Sequence, residues 1–515
     1  MTEPSAMPRL LPTPERAAAA VDRAATRIPR AVRIGVPAAI IGVAAATRLI
    51  GLDSPATLVF DETYYVKDAA SLLAYGYEGR WPDDADAQFE SGALTRPDAD
   101  GAFVAHPPFG KWLIAAGLAA VGTANPVGWR LSTALAGIAL VALVMVLAHL
   151  LLKNFTLSMV AGGLIAIDGN AIVMSRVALL DGLLAVTVVA AVIMLVKDRA
   201  DYRAQLAKRV ARSGRDDVEH PPPNRRARDD WGPAIGARPW LIAFGATFGL
   251  AASIKWSALY LFAAFALLSV ALDAIDRRRA GVPFWLSGGV LLQGPVSFAL
   301  TVPVAAATHL LTWAGWLTTS GGWGRGRDDN ALVALADYQR EVYEYHVGVT
   351  SEHSYEAPAA LWPLLSRPTY MHYEAFDDGT VVAISGIPNP LIWWLAWAAI
   401  ILIAIGCAFA RTRIHRAHDG LAAAIVLTGV AAGWLPWLLY PERTMFFFYT
   451  IVLVPFLVIG LTMIVGGILE RGGRVAVIVL GALAIAVSAF FLPLWMGLPL
   501  PIDQLSWRYW LPSWV

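Results

Sequence analysis

The stretch "LVFDETYYVKDAASLLAYG", residues 58–76, sets two carboxylates side by side, Asp61 and Glu62, just after the first long apolar segment of the chain. A carboxylate at a membrane boundary can accept the proton of a hydroxyl nucleophile as it attacks. A plainer use is open to the same pair, because acids at the start of a surface helix are favoured by its dipole. Further on, "AHPPFGKWLIAAG" puts His106 and Lys111 around a Pro-Pro helix entry. Cationic donors there stand beside free backbone N–H groups and suit an anion, although a lysine also snorkels readily from such a place. Arg130 in "GWRLSTALAG", Arg176 and Asp181 in "SRVALLDGLLAV", Asp168 before them, Lys255 in "ASIKWSALY" and Arg443 in "YPERTMFFFYT" fall at the ends of apolar runs. An ionised group inside a span costs a few kcal/mol, so each should face a cavity, an anion or a partner. Arg176 and Asp181 lie close enough to join one polar network, and a shared outer cavity would account for the whole set. Taken singly, each is equally an interface anchor.

The elements that must position these groups follow from composition. Of 515 residues, 57% are hydrophobic and 15% charged, against about 25% charged in a soluble domain. Apolar runs lie near 34–52, 128–151, 156–174, 177–197, 239–254, 256–274, 283–308, 390–410, 420–440, 445–468 and 475–497. The expected fold is an all-α polytopic membrane protein of about eleven transmembrane helices. With eleven spans every arginine cluster falls on one side, which places the N-terminus in the cytoplasm and the C-terminus outside.

That topology divides the chain into a disordered cytoplasmic arm at 1–33 and a block of seven spans at 34–308. The block carries a first outer loop at 53–127 and a charged cytoplasmic loop at 198–238. A second outer loop at 309–389 and four further spans with an outer tail at 390–515 complete it. The charged loop is expected to be a solvated linker lying on anionic lipid. The net charge of +1 argues against a nucleic-acid surface, and the single Cys407, in an apolar run, reads as a core residue outside any disulfide framework.

In the first outer loop the apolar spacing from Thr63 to Tyr75 predicts a helix lying along the membrane surface. The run at 109–121 is short for a span and reads as a second interfacial or re-entrant helix. In the second, a helix is expected from about Asn330 to Thr350. Tyr345, His346, His353, Tyr355, Trp362 and Tyr373 make this loop aromatic and suited to sugar and peptide backbone, and "WPLLSRPTYMHY", with Arg367, is expected to cover the outer cavity and help form the acceptor groove. His346 and His353 with Glu352 lack the tight spacing of a metal motif, so hydrogen-bonding roles are expected and no metal is assigned.

In chain order, "FDETYY", "HPPFGKW", Arg130, "SRVALLDGLLA", "IKWSALYLF", "WPLLSRP" and "PERTMFFFYTIVLVPF" resemble the motifs of actinobacterial protein O-mannosyltransferases. These belong to the C-type, lipid-sugar-dependent glycosyltransferase superfamily, and the likeness runs over about residues 34–497. The segment 309–389 lacks room for the β-domain inserted in eukaryotic relatives. The resemblance implies polyprenyl-phosphate mannose as donor and Ser or Thr of exported proteins as acceptor, with inversion at the anomeric carbon. It implies Asp61 as base with Glu62 as its acidic neighbour, and cationic positions at Arg130, His106, Lys111 and Arg443, with Lys255 beside them, for the donor phosphate. The expected setting is the plasma membrane, with the site on its outer face, no cofactor, membrane lipids around it and the secretion translocon as a partner.

The chemistry agrees. A phosphate leaves as a stabilised anion and needs no protonating acid of the kind glycosidases use, only positive charge where negative charge gathers. Rival readings are a related superfamily transferase moving another lipid-linked sugar to lipid or polysaccharide, a lipid-sugar transporter, and a non-catalytic scaffold. A transporter would carry matching halves with polar residues at mid-membrane, which this chain does not display.

Overall fold

The computed structural model describes residues 28–93, 97–219, 229–409 and 417–515. Most of the N-terminal arm, the "HPPPN" stretch and Arg411, Arg413 and Arg416 lie outside the described residues. The helices are α1 (Arg30–Leu49), α2 (Glu62–Tyr75), α3 (Ala85–Ser91), α4 (Phe109–Val121), α5 (Pro126–Leu152), α6 (Phe155–Ala166), α7 (Gly169–Arg176) and α8 (Leu180–Glu219). They continue with α9 (Pro239–Ala252), α10 (Ala258–Arg279), α11 (Trp285–Thr312), α12 (Ala331–Gly348), α13 (Pro390–Ala408), α14 (Ala417–Trp434), α15 (Val454–Glu470) and α16 (Arg474–Met496). Among the described residues eight helices are long and apolar enough to cross a membrane, and a ninth crossing results if the bent pair α6–α7 is one span.

The central helix is α5. Asn125 caps it by accepting the Val127 N–H at 2.9 Å, Pro126 occupies its first position, and left-handed Lys153 ends it. Its buried side chains belong to the same core cluster as those of α8, α13 and α15.

Four expectations change. The run at 156–174 is not one straight span, because α6 and α7 meet at 59°. Asp168 caps α7, accepting the N–H groups of Ala171 at 3.0 Å and Asn389 at 3.1 Å, while buried Arg48 donates to the carbonyls of Ile165 and Ala166 at the break. Without water, a broken helix persists only if its loose polar groups are met from inside the protein.

The segment from residue 198 does not begin as a solvated linker: α8 runs on to Glu219, and Arg199 and Asp198 are 1% exposed, although Lys208, Arg209 and Arg212 further along are exposed. Arg199 pairs with Asp273 and Asp276, and Arg238 pairs with Asp198 at 2.5 Å and Asp273 at 2.7 Å. Charge-rich composition here marks opposite charges neutralising one another between α8, α9 and α10 rather than contact with water.

Cys407 lies on the exposed flank of α13, not in the core, since an apolar side chain on a span needs no protein partner. Finally, the all-α expectation omits a small antiparallel sheet, β1 (Tyr370–Ala375), β2 (Thr380–Ser385) and β3 (Leu500–Pro501), in that order. Asp378-Gly379, with Gly379 at φ +80°, turns β1 into β2, and that dipeptide is the signal by which the hairpin was legible.

Both interfacial helices of the first outer loop are present. At 13 residues α4 is about 20 Å long, too short to cross. Its Phe109 N–H donates to Ser253 at the end of α9, and Gly110 packs so closely that a Cβ would lie 2.7 Å from Leu180 Cδ2. The glycine of "HPPFGK" therefore lets α4 settle against the spans.

Candidate active site

Asp61 and Glu62 sit at the start of α2, as expected, but do opposite things. Glu62 is fully buried. Its Oε1 accepts from Arg130 Nε at 2.8 Å and from the Ala178 N–H at 2.7 Å, and its Oε2 accepts from Arg130 Nη2 at 2.8 Å and the Val59 N–H at 2.9 Å. The remaining Arg130 donors go to the carbonyls of Leu52 (3.3 Å), Pro55 (2.8 Å) and Thr57 (2.8 Å). All five guanidinium N–H groups are thereby engaged. The assignment of Arg130 to the donor phosphate does not hold, because no donor is left for it; Arg130 and Glu62 are positioning residues.

Asp61 makes no capping hydrogen bond to α2, which removes the helix-cap explanation for it. The one hydrogen bond to its carboxylate comes from Tyr65 Oη, at a long 3.5 Å. Burial raises its pKa to about 6, with Lys255 pulling it down and Asp181 adding to the rise. Before it, Phe60 holds φ at +50°, a left-handed conformation rare outside glycine, with its ring edge-on to His353, Phe446 and Phe448 at 5.4–5.9 Å. Strain of this kind survives only where the surroundings over-determine it, and it accumulates at functional sites.

A cavity of about 310 Å³ lies nearby; Asp61 is not among its lining residues, but Lys255 and Asp181, whose charges act on Asp61, both line it. Leu184, Leu259, Leu261, Ala432, Gly433 and Val452 give it an apolar wall within the spans, while His106, Asp181, Lys255, His346, Arg443 and Tyr449 form its polar part. Lys255 donates to Asp181 Oδ2 at 2.7 Å and lies 4.8 Å from the Tyr449 ring centre. Burial works against its charge, yet Asp181, Tyr449 and Asp61 hold its pKa above the usual lysine value. Arg443 donates through Nε to the His346 carbonyl at 2.9 Å and through Nη1 to Thr444 at 3.0 Å. Its Nη2 has no protein acceptor among the described residues.

His106 and His346 face each other with ring centres 5.1 Å apart. Burial first, and then Lys255 and its other cationic neighbours, push His106 well below the usual histidine pKa. Burial brings His346 down to about 4 despite its bond to the Ala105 carbonyl. Both are neutral, so His106 is a hydrogen-bonding group and not the cation that the sequence suggested. Its Nδ1 is buried without a protein partner.

Other candidates fall elsewhere. Lys111 is fully buried and paired with Glu78 at 2.5 Å and Asp68 at 3.4 Å, so it locks α4 to the first loop instead of meeting an anion. Arg176 does not share a network with Asp181; it donates to the carbonyls of Thr47, Ile50, Gly51 and Met496 and clamps the end of α1 to that of α16. Asp168 is the cap already described and lies outside the cavity lining. Trp362 is 1% exposed and donates to the Ala357 carbonyl, and Arg367 staples Ser354 to Ser513, so both build the outer loop and neither offers the acceptor surface expected of it. Tyr345 is half exposed beside His346, and His353 packs on Phe446 at 4.9 Å. Among the described residues no group of three or more His, Cys, Asp or Glu side chains gathers into a metal-binding cluster. Sequence reasoning overlooked Phe60, Tyr65 and Tyr449, whose only signal was their place within "FDETYY" and "FFFYT".

A carboxylate without a capping role thus lies within reach of Lys255, and Lys255 and Arg443 stand in the polar part of a cavity whose other wall is aliphatic. Residues 38–210 match the family model described as dolichyl-phosphate-mannose-protein mannosyltransferase, and residues 332–514 match that of the C-terminal four TMM region of protein-O-mannosyltransferase. The chain is 31% identical over 511 residues to the polyprenol-phosphate-mannose–protein mannosyltransferase of Mycobacterium tuberculosis strain H37Rv, covering 92% of this chain and 90% of that one. To the enzyme of that name from Corynebacterium glutamicum it is 29% identical, with 92% of each covered. The fold superposes on the Saccharomyces cerevisiae Pmt1–Pmt2 complex bound to the sugar donor with a TM-score of 0.70 at 14% identity, over 96% of this chain and 94% of that one. The chain is a multi-pass membrane enzyme of the polyprenol-phosphate-mannose–protein mannosyltransferase family.

The two acids should separate experimentally. Glu62→Ala strands the Arg130 guanidinium in a dry site and should destabilise the fold by about 3–5 kcal/mol, read as a lowered unfolding temperature in detergent. Asp61→Asn removes a charge that burial disfavours and should unfold at the wild-type temperature or above while losing activity. Equal destabilisation by both would undo the division of roles.

Proposed function

We propose that this enzyme transfers mannose from polyprenyl-phosphate mannose to Ser or Thr hydroxyls of exported proteins, inverting the anomeric centre, with Asp61 as general base. The observation that carries the reading is the Asp61 carboxylate, free of capping duty and within the electrostatic reach of Lys255 and Asp181, which line the amphipathic cavity. The acceptor oxygen attacks C1 of the sugar, its proton passes to Asp61, and the bond from C1 to the phosphate oxygen breaks with its electrons staying on the phosphate. Lys255 and Arg443 meet the charge that builds there. The polyprenyl tail lies along the apolar wall, and the neutral imidazole of His106 hydrogen-bonds a sugar hydroxyl.

Eleven spans follow if the eight long helices are joined by the bent pair α6–α7 and by the shorter α9 and α15. The arginine clusters then put Asp61 on the outer face of the plasma membrane. A related transferase of another lipid-linked sugar shares all of this, and the donor assay separates the two.

Purified enzyme with polyprenyl-phosphate mannose and a Ser/Thr peptide should glycosylate the peptide, and Asp61→Asn should lower kcat by about a hundredfold or more. Activity with a different lipid-linked sugar only would transfer the reading to the related enzyme. Because the base must be ionised, kcat/KM should be flat above pH 7 and fall about tenfold per unit below pH 6, following the raised Asp61 pKa. A flat profile down to pH 4.5 would exclude Asp61 as the base. Arg443→Ala should raise the donor KM by roughly ten- to a hundredfold, the range of a lost charge-assisted hydrogen bond, and leave the peptide KM unchanged. In a Cys407→Ser background, Asp329→Cys should react with an impermeant maleimide from outside intact cells and Lys208→Cys should not; the reverse would invert the topology.

A further inference from the structure

A protein acceptor must reach Asp61 as an extended segment, and no residue placed so far guides it. The outer sheet has a free edge: β1 pairs with β2 on one side only, and β3 covers the other side of β2. The Phe376 N–H donates to the Thr380 carbonyl at 2.9 Å to close the hairpin. By the alternation of an antiparallel pair, Glu374 and His372 then turn their backbone groups to β2, while those of Tyr373 and Ala375 turn outward. Among the described residues nothing meets these outward groups, and Tyr373 is 52% exposed. Such an edge is a template for an added strand.

From this edge a chain of aromatic rings runs back to the catalytic loop. Tyr373 stands 6.4 Å from Tyr370, which stacks on Tyr355 at 5.7 Å; Tyr355 lies 6.2 Å from His353, and His353 lies 5.9 Å from Phe60. Phe60 is the residue before Asp61. The four steps cover at most about 24 Å, a span that roughly seven residues of extended chain bridge. Except for Tyr370, which lies under Tyr355, these rings are exposed or half-buried, and flat rings hold peptide backbone and side chains with little loss of their own freedom.

We propose that the acceptor polypeptide docks as an added strand on the free edge of β1 and follows the rings from Tyr373 to Phe60, which delivers its hydroxyl to Asp61. This rests on the protein mannosyltransferase reading. Continuity with the catalytic carboxylate favours the acceptor as occupant over a second copy of the chain. Recognition through backbone hydrogen bonds leaves the acceptor sequence largely unrestricted.

The test uses full-length enzyme in nanodiscs with polyprenyl-phosphate mannose and a nine-residue peptide carrying one Thr, N-methylated at each position in turn. Docking on β1 should raise the peptide KM by roughly three- to tenfold at alternate positions on one flank of the Thr, with donor KM constant. Tyr373→Pro, which removes an outward N–H and none that faces β2, should reproduce that rise. A uniform or absent N-methyl effect on an enzyme that turns over normally overturns the proposal, whether or not the proline variant folds. If mannose is not transferred at all, the functional reading falls instead. Docking is then decided by p-benzoylphenylalanine at position 373, which should crosslink a labelled peptide; adducts only with another copy of the enzyme would show the edge to be a self-interface.

Discussion

The site depends on a buried ion pair that takes no part in the chemistry. Arg130 and Glu62 exchange two hydrogen bonds at 2.8 Å, and every other polar atom of the pair is met by a main-chain group. In a low-dielectric setting such a pair is tolerable only when complete, since an unmet donor or acceptor there is expensive. Completeness has a geometric consequence. The carbonyls of residues 52, 55 and 57, the N–H of Val59 and the N–H of Ala178 are all fixed to one point, so the loop between the first span and α2 has little freedom. Successive side chains at a helix start point about 100° apart, so with Glu62 turned inward to Arg130 the neighbouring Asp61 cannot share that pocket. The strained Phe60 just before Asp61 is the local sign of that constraint.

The class and the eight long apolar helices were legible in the sequence because each is encoded locally, and the carboxylate proposed as the base was picked out on the same local grounds. Apolar runs of about 20 residues announce spans wherever they occur, and "FDETYY" stood out by its position. Partners were not legible. Arg130, Lys111, Lys255 and Arg443 look alike in a sequence, each a cation near the end of an apolar stretch. What separates them is contact across long chain separations: Arg130 with Glu62, Lys111 with Glu78, Lys255 with Asp181. Two turn out to be fully used by the fold, and two retain a role in the cavity. The same blindness hid the pairing of Asp198 with Arg238, at the cap of α9, and of Arg199 with Asp273 and Asp276 of α10, which packs the start of an apparently hydrophilic loop as helix. Breaks inside helices are also poorly encoded. Asp168-Gly169 was a turn signal that the surrounding hydrophobicity outweighed.

The outer loops combine rigidity and access. Lys111, Arg176 and Arg367 each tie segments distant in sequence through two or more contacts, and none of them lines the cavity. With such staples the interfacial helices and the small sheet form walls of fixed shape above the spans. A lipid donor can then enter from the membrane side, where the cavity wall is aliphatic, while a polypeptide enters from the aqueous side, where the rings are. Separate entrances suit a reaction whose two substrates come from different phases.

The electrostatics of the cavity fit an anionic substrate in a way that a count of cations would miss. Burial and neighbouring cations, with Lys255 the largest charged influence on His106, hold both facing histidines in their neutral form. An anion arriving in the cavity thus meets Lys255 and Arg443 as its charged partners and the imidazoles as orienting hydrogen-bond groups. Lys255 also keeps Asp61 from rising further, so that the carboxylate is ionised near neutral pH in spite of burial. A bound phosphate takes up part of that positive influence. In the proposed reaction the proton affinity of Asp61 rises in consequence, so that it would be the strongest base when the donor is in place. On departure the phosphate gains a further negative charge just as Asp61 takes its proton and loses one. The negative charge therefore moves from Asp61 to the phosphate, past Lys255, which attracts it at both ends of the step, and the total charge of the site stays constant while the sugar changes hands.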